Sequence, residues 1–264
     1  VACGGSKEPA TNEAGPETAA AKAPPTSGLG TITGVIAYNG APPAPKKIDT
    51  SADPVCGQRN PNLTTEDTVV KDGKLANVFI YIKDGTAADG TKIGEYAWTA
   101  PSATVALDQN GCHYKPHVLG IQTKQTLSIT NSDPTQHNIH WTPEKNPEWN
   151  QSQANGAPSI SKSFNQSEGM VQGKCNQHQW MKSYIGVMKT PFYAVSAEDG
   201  TFTIKGVPAG TYNVVAWKEG GAKGTEKPMS VTVAADGSAT ANFTFGEGAQ
   251  AGAPSSLQMM PAIE

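Results

Sequence analysis

The chain has 264 residues with 23 acidic and 20 basic side chains, a formal net charge of −3, so it offers no basic surface for nucleic acid. No apolar run approaches the roughly 20 residues of a membrane-spanning helix. No stretch carries a sustained helical period, and short β-prone runs separated by Asp-Gly and Asn-Gly turns predict an all-β protein of one large or two modest domains.

In chain order, Val1-Ala2-Cys3-Gly4-Gly5 looks like the end of a bacterial lipobox. That likeness implies lipidation of Cys3, a membrane as partner through the anchor, and a periplasmic or cell-surface location. Residues 4–28 hold no large apolar side chain, so burial cannot offset the cost of ordering them. They predict a flexible tether reaching about 25–30 Å r.m.s.. Strands are expected at Gly30–Ile36 and Lys74–Ile82. Gln125–Asn131 alternates polar and apolar residues and breaks at Asn131-Ser132-Asp133-Pro134. Ser183–Met188 is another apolar, β-prone run. Further on, Thr201–Ile204 and Tyr212–Ala216 flank a Gly-Val-Pro-Ala-Gly turn. The tail 247–264, rich in Ala, Gly, Pro and Ser, is expected to be mobile.

Chemistry concentrates in Cys175-Asn176-Gln177-His178-Gln179-Trp180-Met181, with His137-Asn138-Ile139-His140 upstream. One Cys, two His and a weakly bound Met form the donor set of an electron-transfer copper site, because thiolate and thioether are soft and imidazole suits copper equally. Zinc would more often take paired Cys-x2-Cys knuckles, and a covalent haem would need Cys-x-x-Cys-His; neither motif occurs.

The order strand, turn, His137-Asn138, loop, strand, Cys-His-Met loop, strand resembles the cupredoxins. The resemblance implies a Greek-key sandwich holding one mononuclear copper ion through His137, Cys175, His178 and Met181. Two residues separate His178 from Met181, where many family members have four, so Met188 and Met170 stand as fallback axial ligands. His117 and His140 are alternative imidazoles. Trp180, Trp141 and Trp149 are expected to form an apolar docking face around an exposed ligand edge.

Glu198-Asp199-Gly200-Thr201-Phe202-Thr203-Ile204-Lys205-Gly206-Val207-Pro208-Ala209-Gly210-Thr211-Tyr212 resembles the signature of the carboxypeptidase regulatory-like, transthyretin-like sandwich. The usual opening strand of that module is matched far upstream, at Gly30-Thr31-Ile32-Thr33-Gly34-Val35-Ile36. The expected organisation is a tether (1–28), a split regulatory-like sandwich (29–100 plus 191–246), a copper domain (101–190) inserted between its halves, and a tail (247–264). Two tandem sandwiches are the alternative. Copper claims Cys175 and lipidation Cys3, and in an exported chain Cys56 and Cys112 are then expected to form a disulfide. It would contribute about 4 kcal/mol on a chain-entropy argument. The whole pattern resembles exported bacterial plastocyanin-like and methylamine-utilisation-type proteins. It implies a non-enzymatic one-electron carrier exchanging with a redox protein such as a c-type cytochrome. Copper storage or delivery, and a surface interaction module with a structural copper site, are the alternatives.

Overall fold

The computed structural model describes residues 21–221 and 223–248. Cys3 lies outside them, as does the tail from 249 onward. Lys22, inside the stretch expected to be a flexible tether, is docked: it bridges Tyr96, and its Nζ reaches Asp89 Oδ2 at 2.6 Å.

The described residues are nearly all β. The strands are β1 (Leu29–Asn39), β2 (Val70–Lys71), β3 (Lys74–Leu75), β4 (Phe79–Ala87), β5 (Val105–Gln109), β6 (Tyr114–Lys115) and β7 (Val118–Gln122). They continue as β8 (Leu127–Asn131), β9 (His137–Trp141), β10 (Trp149–Gln153), β11 (Ile160–Lys162), β12 (Glu168–Lys174) and β13 (Lys182–Met188). The last are β14 (Tyr193–Val195), β15 (Thr201–Pro208), β16 (Gly210–Lys218), β17 (Thr225–Val233), β18 (Ser238–Thr240) and β19 (Phe243–Gly246). One six-residue helix, α1 (Pro54–Arg59), interrupts them. Its sequence signal is local: Asp53 caps the helix by accepting from Val55 N, and Pro54 opens it.

Four sheets stack in layers. The first runs β15-β1-β3-β2, with β18 and β19 also on β1; the second runs β14-β4-β16-β17. In β1 the even positions Gly30, Ile32, Gly34 and Ile36 face inward, the period-2 pattern of a strand buried on one face. Ile32, Ile36, Ile80, Ile82, Phe202, Val214 and Phe243 are among the side chains filling the core between these two sheets. Antiparallel pairs join Ile32 to Ile204 and Val215 to Tyr81, so strands before residue 101 are hydrogen-bonded to strands after 190. The Tyr212 hydroxyl donates to Pro208 O at 2.8 Å and fastens the Gly-Val-Pro-Ala-Gly turn.

The other two sheets, β10-β9-β12-β13-β7 and β11-β8-β5-β6, enclose a second core that contains Leu107, Leu127, Ile129, Ile139, Trp141, Ile185, Cys175 and Met181. The two sandwiches meet where Phe79, Tyr81, Val215 and Trp217 pack on Val118 and Met188. Close approach there depends on two glycines. A Cβ at Gly186 would lie 2.3 Å from the Phe79 ring, and one at Gly120 2.3 Å from Tyr193.

Candidate metal centre

β8 ends in a turn fixed by Asn131, whose side chain donates to Thr135 O at 2.9 Å and to Gln153 O at 3.0 Å. Asn131 Oδ1 accepts from Asp133 N. This turn delivers His137 to the first position of β9, fully buried. The partner loop starts where β12 ends. Cys175 N donates to Met181 O, and Met181 N donates to His178 O, closing a tight loop that runs into β13. Asn138 ties the two segments together: its Oδ1 accepts from Asn176 N at 2.6 Å, and its own N–H points at Cys175 Sγ at 3.5 Å.

His137, Cys175 and His178 converge, with donor atoms all within 4.8 Å of one another. The two Nδ1 atoms face each other at 2.9 Å, and Cys175 Sγ stands 3.6 Å from His178 Nδ1. Each imidazole is held on its other nitrogen by a carboxylate. His137 Nε2 meets Asp133 Oδ2 at 2.9 Å, and His178 Nε2 meets Asp53 Oδ2 at 3.0 Å. A neutral imidazole has one proton, and a carboxylate can only accept, so that proton sits on Nε2. Both Nδ1 lone pairs then point at the same spot beside a sulfur. Such an arrangement places one positive charge between the two nitrogens, a shared proton in the metal-free protein or a metal ion in its place, and the Cys/His donor set fits copper.

In the metal-free protein the same groups hold one another's charge, and a metal ion would displace the proton from the imidazoles. Burial works against a thiolate at Cys175, yet hydrogen bonds from His137 and His178 pull its pKa down to about 6. Burial likewise opposes charge on His137, but Asp133 and Cys175 raise it to about 9. Asp133 is itself fully buried; despite burial, the His137 hydrogen bond and the N–H groups of Cys112 and Gly111 hold it below the usual carboxylate range.

Met181 is 1% exposed and packs in the same core as Cys175. The fallback residues lie elsewhere. Met188 and Met170 pack at the contact between the sandwiches. His117 is engaged by Glu219 at 2.6 Å and by the Lys182 carbonyl, and His140 by Asn176 and Glu148. The Cys56–Cys112 disulfide is formed, with Cα atoms 5.6 Å apart. Trp180 is half-buried, its ring centroid 5.1 Å from that of His178. Trp141, expected on a docking face, is instead 1% exposed. It shares the inward face of β9 with His137 and Ile139, because side chains two apart on a strand point the same way. Trp149 is only partly buried and stacks under Lys162 Nζ at 4.6 Å. The ligand edge is not exposed either, since His178 is 4% exposed.

Sequence reasoning missed both carboxylates. Asp133 had a signal, its position four residues before His137 beyond a turn; Asp53, far upstream, had none.

Residues 154–241 match the family described as polysaccharide lyase family 4, domain II, well under half of the chain. No curated relative matches. Among solved structures the chain is similar to a Cu-containing nitrite reductase from Thermus scotoductus, at 19% identity and TM-score 0.30, covering 35% of this chain and 24% of that one. A purple cupredoxin from Nitrosopumilus maritimus is similar at 21% identity and TM-score 0.28, over 32% of this chain and 99% of that one. Amicyanin from Paracoccus versutus is similar at 17% identity and TM-score 0.30, over 41% and 97%. Scores this low add nothing to what the donor geometry carries.

Proposed function

We propose that the chain is an exported mononuclear copper protein that carries single electrons, anchored to a membrane through Cys3. The observation that carries this reading is the convergence of two imidazole Nδ1 atoms and a thiol, with both Nε2 atoms already engaged. Bound copper would supply a one-electron couple. The chain's residues would do the rest. His137, Cys175 and His178 would hold the ion strongly, and Met181, buried in the same core as Cys175, would be the weak fourth donor. Four protein donors leave no open position for a substrate, which favours a carrier over an enzyme. Asn138 holds the sulfur by its N–H, and the surrounding core excludes water, so the donors keep one arrangement in both oxidation states. Trp180 is the half-buried ring against His178, and it lines a groove of about 570 Å³ with His113, His117, Tyr184 and Trp217. That groove is the proposed docking place for a redox protein such as a c-type cytochrome.

The test is the visible spectrum. The copper(II)-loaded protein is expected to show an intense thiolate-to-copper charge-transfer band that Cys175→Ser abolishes. A colourless adduct, or colour that survives the substitution, refutes the assignment.

A further inference from the structure

Asp53 does not belong to the strands or the loop that present the donors. It lies in the segment between β1 and β2, as the cap of α1. Its two oxygens do different things. Oδ1 accepts from Val55 N and holds the helix; Oδ2 meets His178 Nε2 at 3.0 Å and accepts from Thr135 Oγ1 at 3.1 Å. Three residues on, the fully buried Cys56 is bonded to Cys112. Cys112 N in turn donates to Asp133, the carboxylate that holds His137. The disulfide thus joins the anchor of one imidazole to the anchor of the other. It runs close by the site, with Cys56 Sγ 3.8 Å from His178 Nε2.

We propose that Asp53 is a positioning residue for the copper centre, acting through His178, and that the Cys56–Cys112 disulfide keeps it in place. The inference rests on the copper reading above. A carboxylate on the outer N–H of a ligating imidazole fixes its tautomer and orientation and raises its basicity. Its negative charge also favours the more highly charged ion, so Asp53 stabilises copper(II) over copper(I). Such outer partners typically carry about 10–100-fold in metal affinity. The carboxylate arrives from a segment that the donor strands do not contain, so the centre is complete only when α1 is docked on it.

The experiment uses the full chain loaded with copper. Asp53→Asn removes the charge and leaves one side-chain oxygen, which can cap α1 or accept from His178 but not both. Its preference for copper(II) over copper(I) is expected to fall about tenfold, a rise of about 59 mV in the one-electron potential. The metal-free protein is expected to stay folded, with a melting temperature lowered by no more than the loss of one or two hydrogen bonds allows. Asp53→Ser, which also caps, is expected to shift the potential the same way. Asp49→Asn, an exposed charge in the same segment, is the control and is expected to leave the potential unchanged. Cys56→Ala with Cys112→Ala is expected to raise the potential and to speed removal of copper by a chelator. An Asp53→Asn potential equal to that of the parent or of the control overturns the proposal, as does a double Cys variant with parental potential and copper release. A parent protein without the charge-transfer band would instead sink the copper reading itself, so the two failures are separable.

Discussion

Gly186→Ala tests how the sandwich that holds His137, Cys175 and His178 is seated on its neighbour. An alanine Cβ there would fall 2.3 and 2.4 Å from two atoms of the Phe79 ring, far inside van der Waals contact. Phe79 cannot easily retreat. It is fully buried, stacked on Tyr193 at 5.7 Å, and a Cβ at Gly120 would also meet it at 2.8 Å. The ring therefore fits a slot that two glycines leave open, and filling one of them forces a shift that typically costs about 1–3 kcal/mol. Phe79→Leu alone removes ring contacts and should cost about 1–3 kcal/mol. In the double variant the smaller leucine makes room for the new methyl, so the combined loss should fall short of the sum by about 1 kcal/mol or more. Urea unfolding of the four proteins gives the coupling. The charge-transfer band of the copper-loaded Gly186→Ala protein should persist, because the donor loop ends at Met181, before the altered position. Additivity within about 0.5 kcal/mol would show that the ring and the glycine do not compete for space, and would refute the account of the junction.

Met181→Leu should leave copper bound by three strong donors while shifting the spectrum and potential, and Met188→Leu, whose side chain packs at the inter-sandwich contact, should do much less. Reversed effects in redox titrations would move the axial ligand. Burial opposes charge on His117, but Glu219 raises its pKa above the ordinary 6.5, so that stabilisation is complete below pH 6.5 and fades as pH climbs through the raised folded value. Glu219→Gln should therefore cost about 1–3 kcal/mol at pH 6 and distinctly less at pH 10; an equal loss at both, measured by denaturant midpoints, would contradict the ion pair. Deleting residues 101–190 and joining the ends with a short Gly/Ser linker should leave a foldable sandwich, whereas 29–100 alone should not fold, since β1 and β4 pair with β15 and β16. A folded, monomeric 29–100 fragment by size exclusion and circular dichroism would argue for tandem domains.

The meeting of His137, Cys175 and His178 was legible because such residues are scarce: a Cys and a His three positions apart have few shared uses, and a His after a strand-breaking turn is the natural third member. The Cys56–Cys112 bond followed from counting thiols. The β1–β15 pairing is what the split arrangement requires, and it was readable because two halves of one motif stood far apart in the chain. The outer carboxylates were not readable. A carboxylate's partner is set by distance in space, and Asp53 looks like any helix cap until the chain folds it onto His178. Trp141 was misplaced by treating the stretch after His137 as a loop. Once His137 starts a strand and points inward, the residue four positions on must point inward too, and an indole there becomes core.

The interleaved topology also governs the order in which the molecule can be made. The sandwich that holds Cys175 is assembled from β5 to β13, residues 105–188, so its pairings close as the chain emerges. β1 must wait for 201–208 and 243–246, a delay of about 10–40 s at ordinary translation speeds. β4 waits for β14 and β16 with Phe79-Ile80-Tyr81-Ile82 buried on both faces in the finished molecule and bare until then. That run has the makings of an aggregation nucleus in any unfinished or unfolded chain. Lys83 and Asp84 follow it directly, two exposed charges placed where a growing stack of strands would have to bury them. Neutralising that pair would leave the finished fold nearly untouched and load its penalty onto the nascent chain, as lost yield.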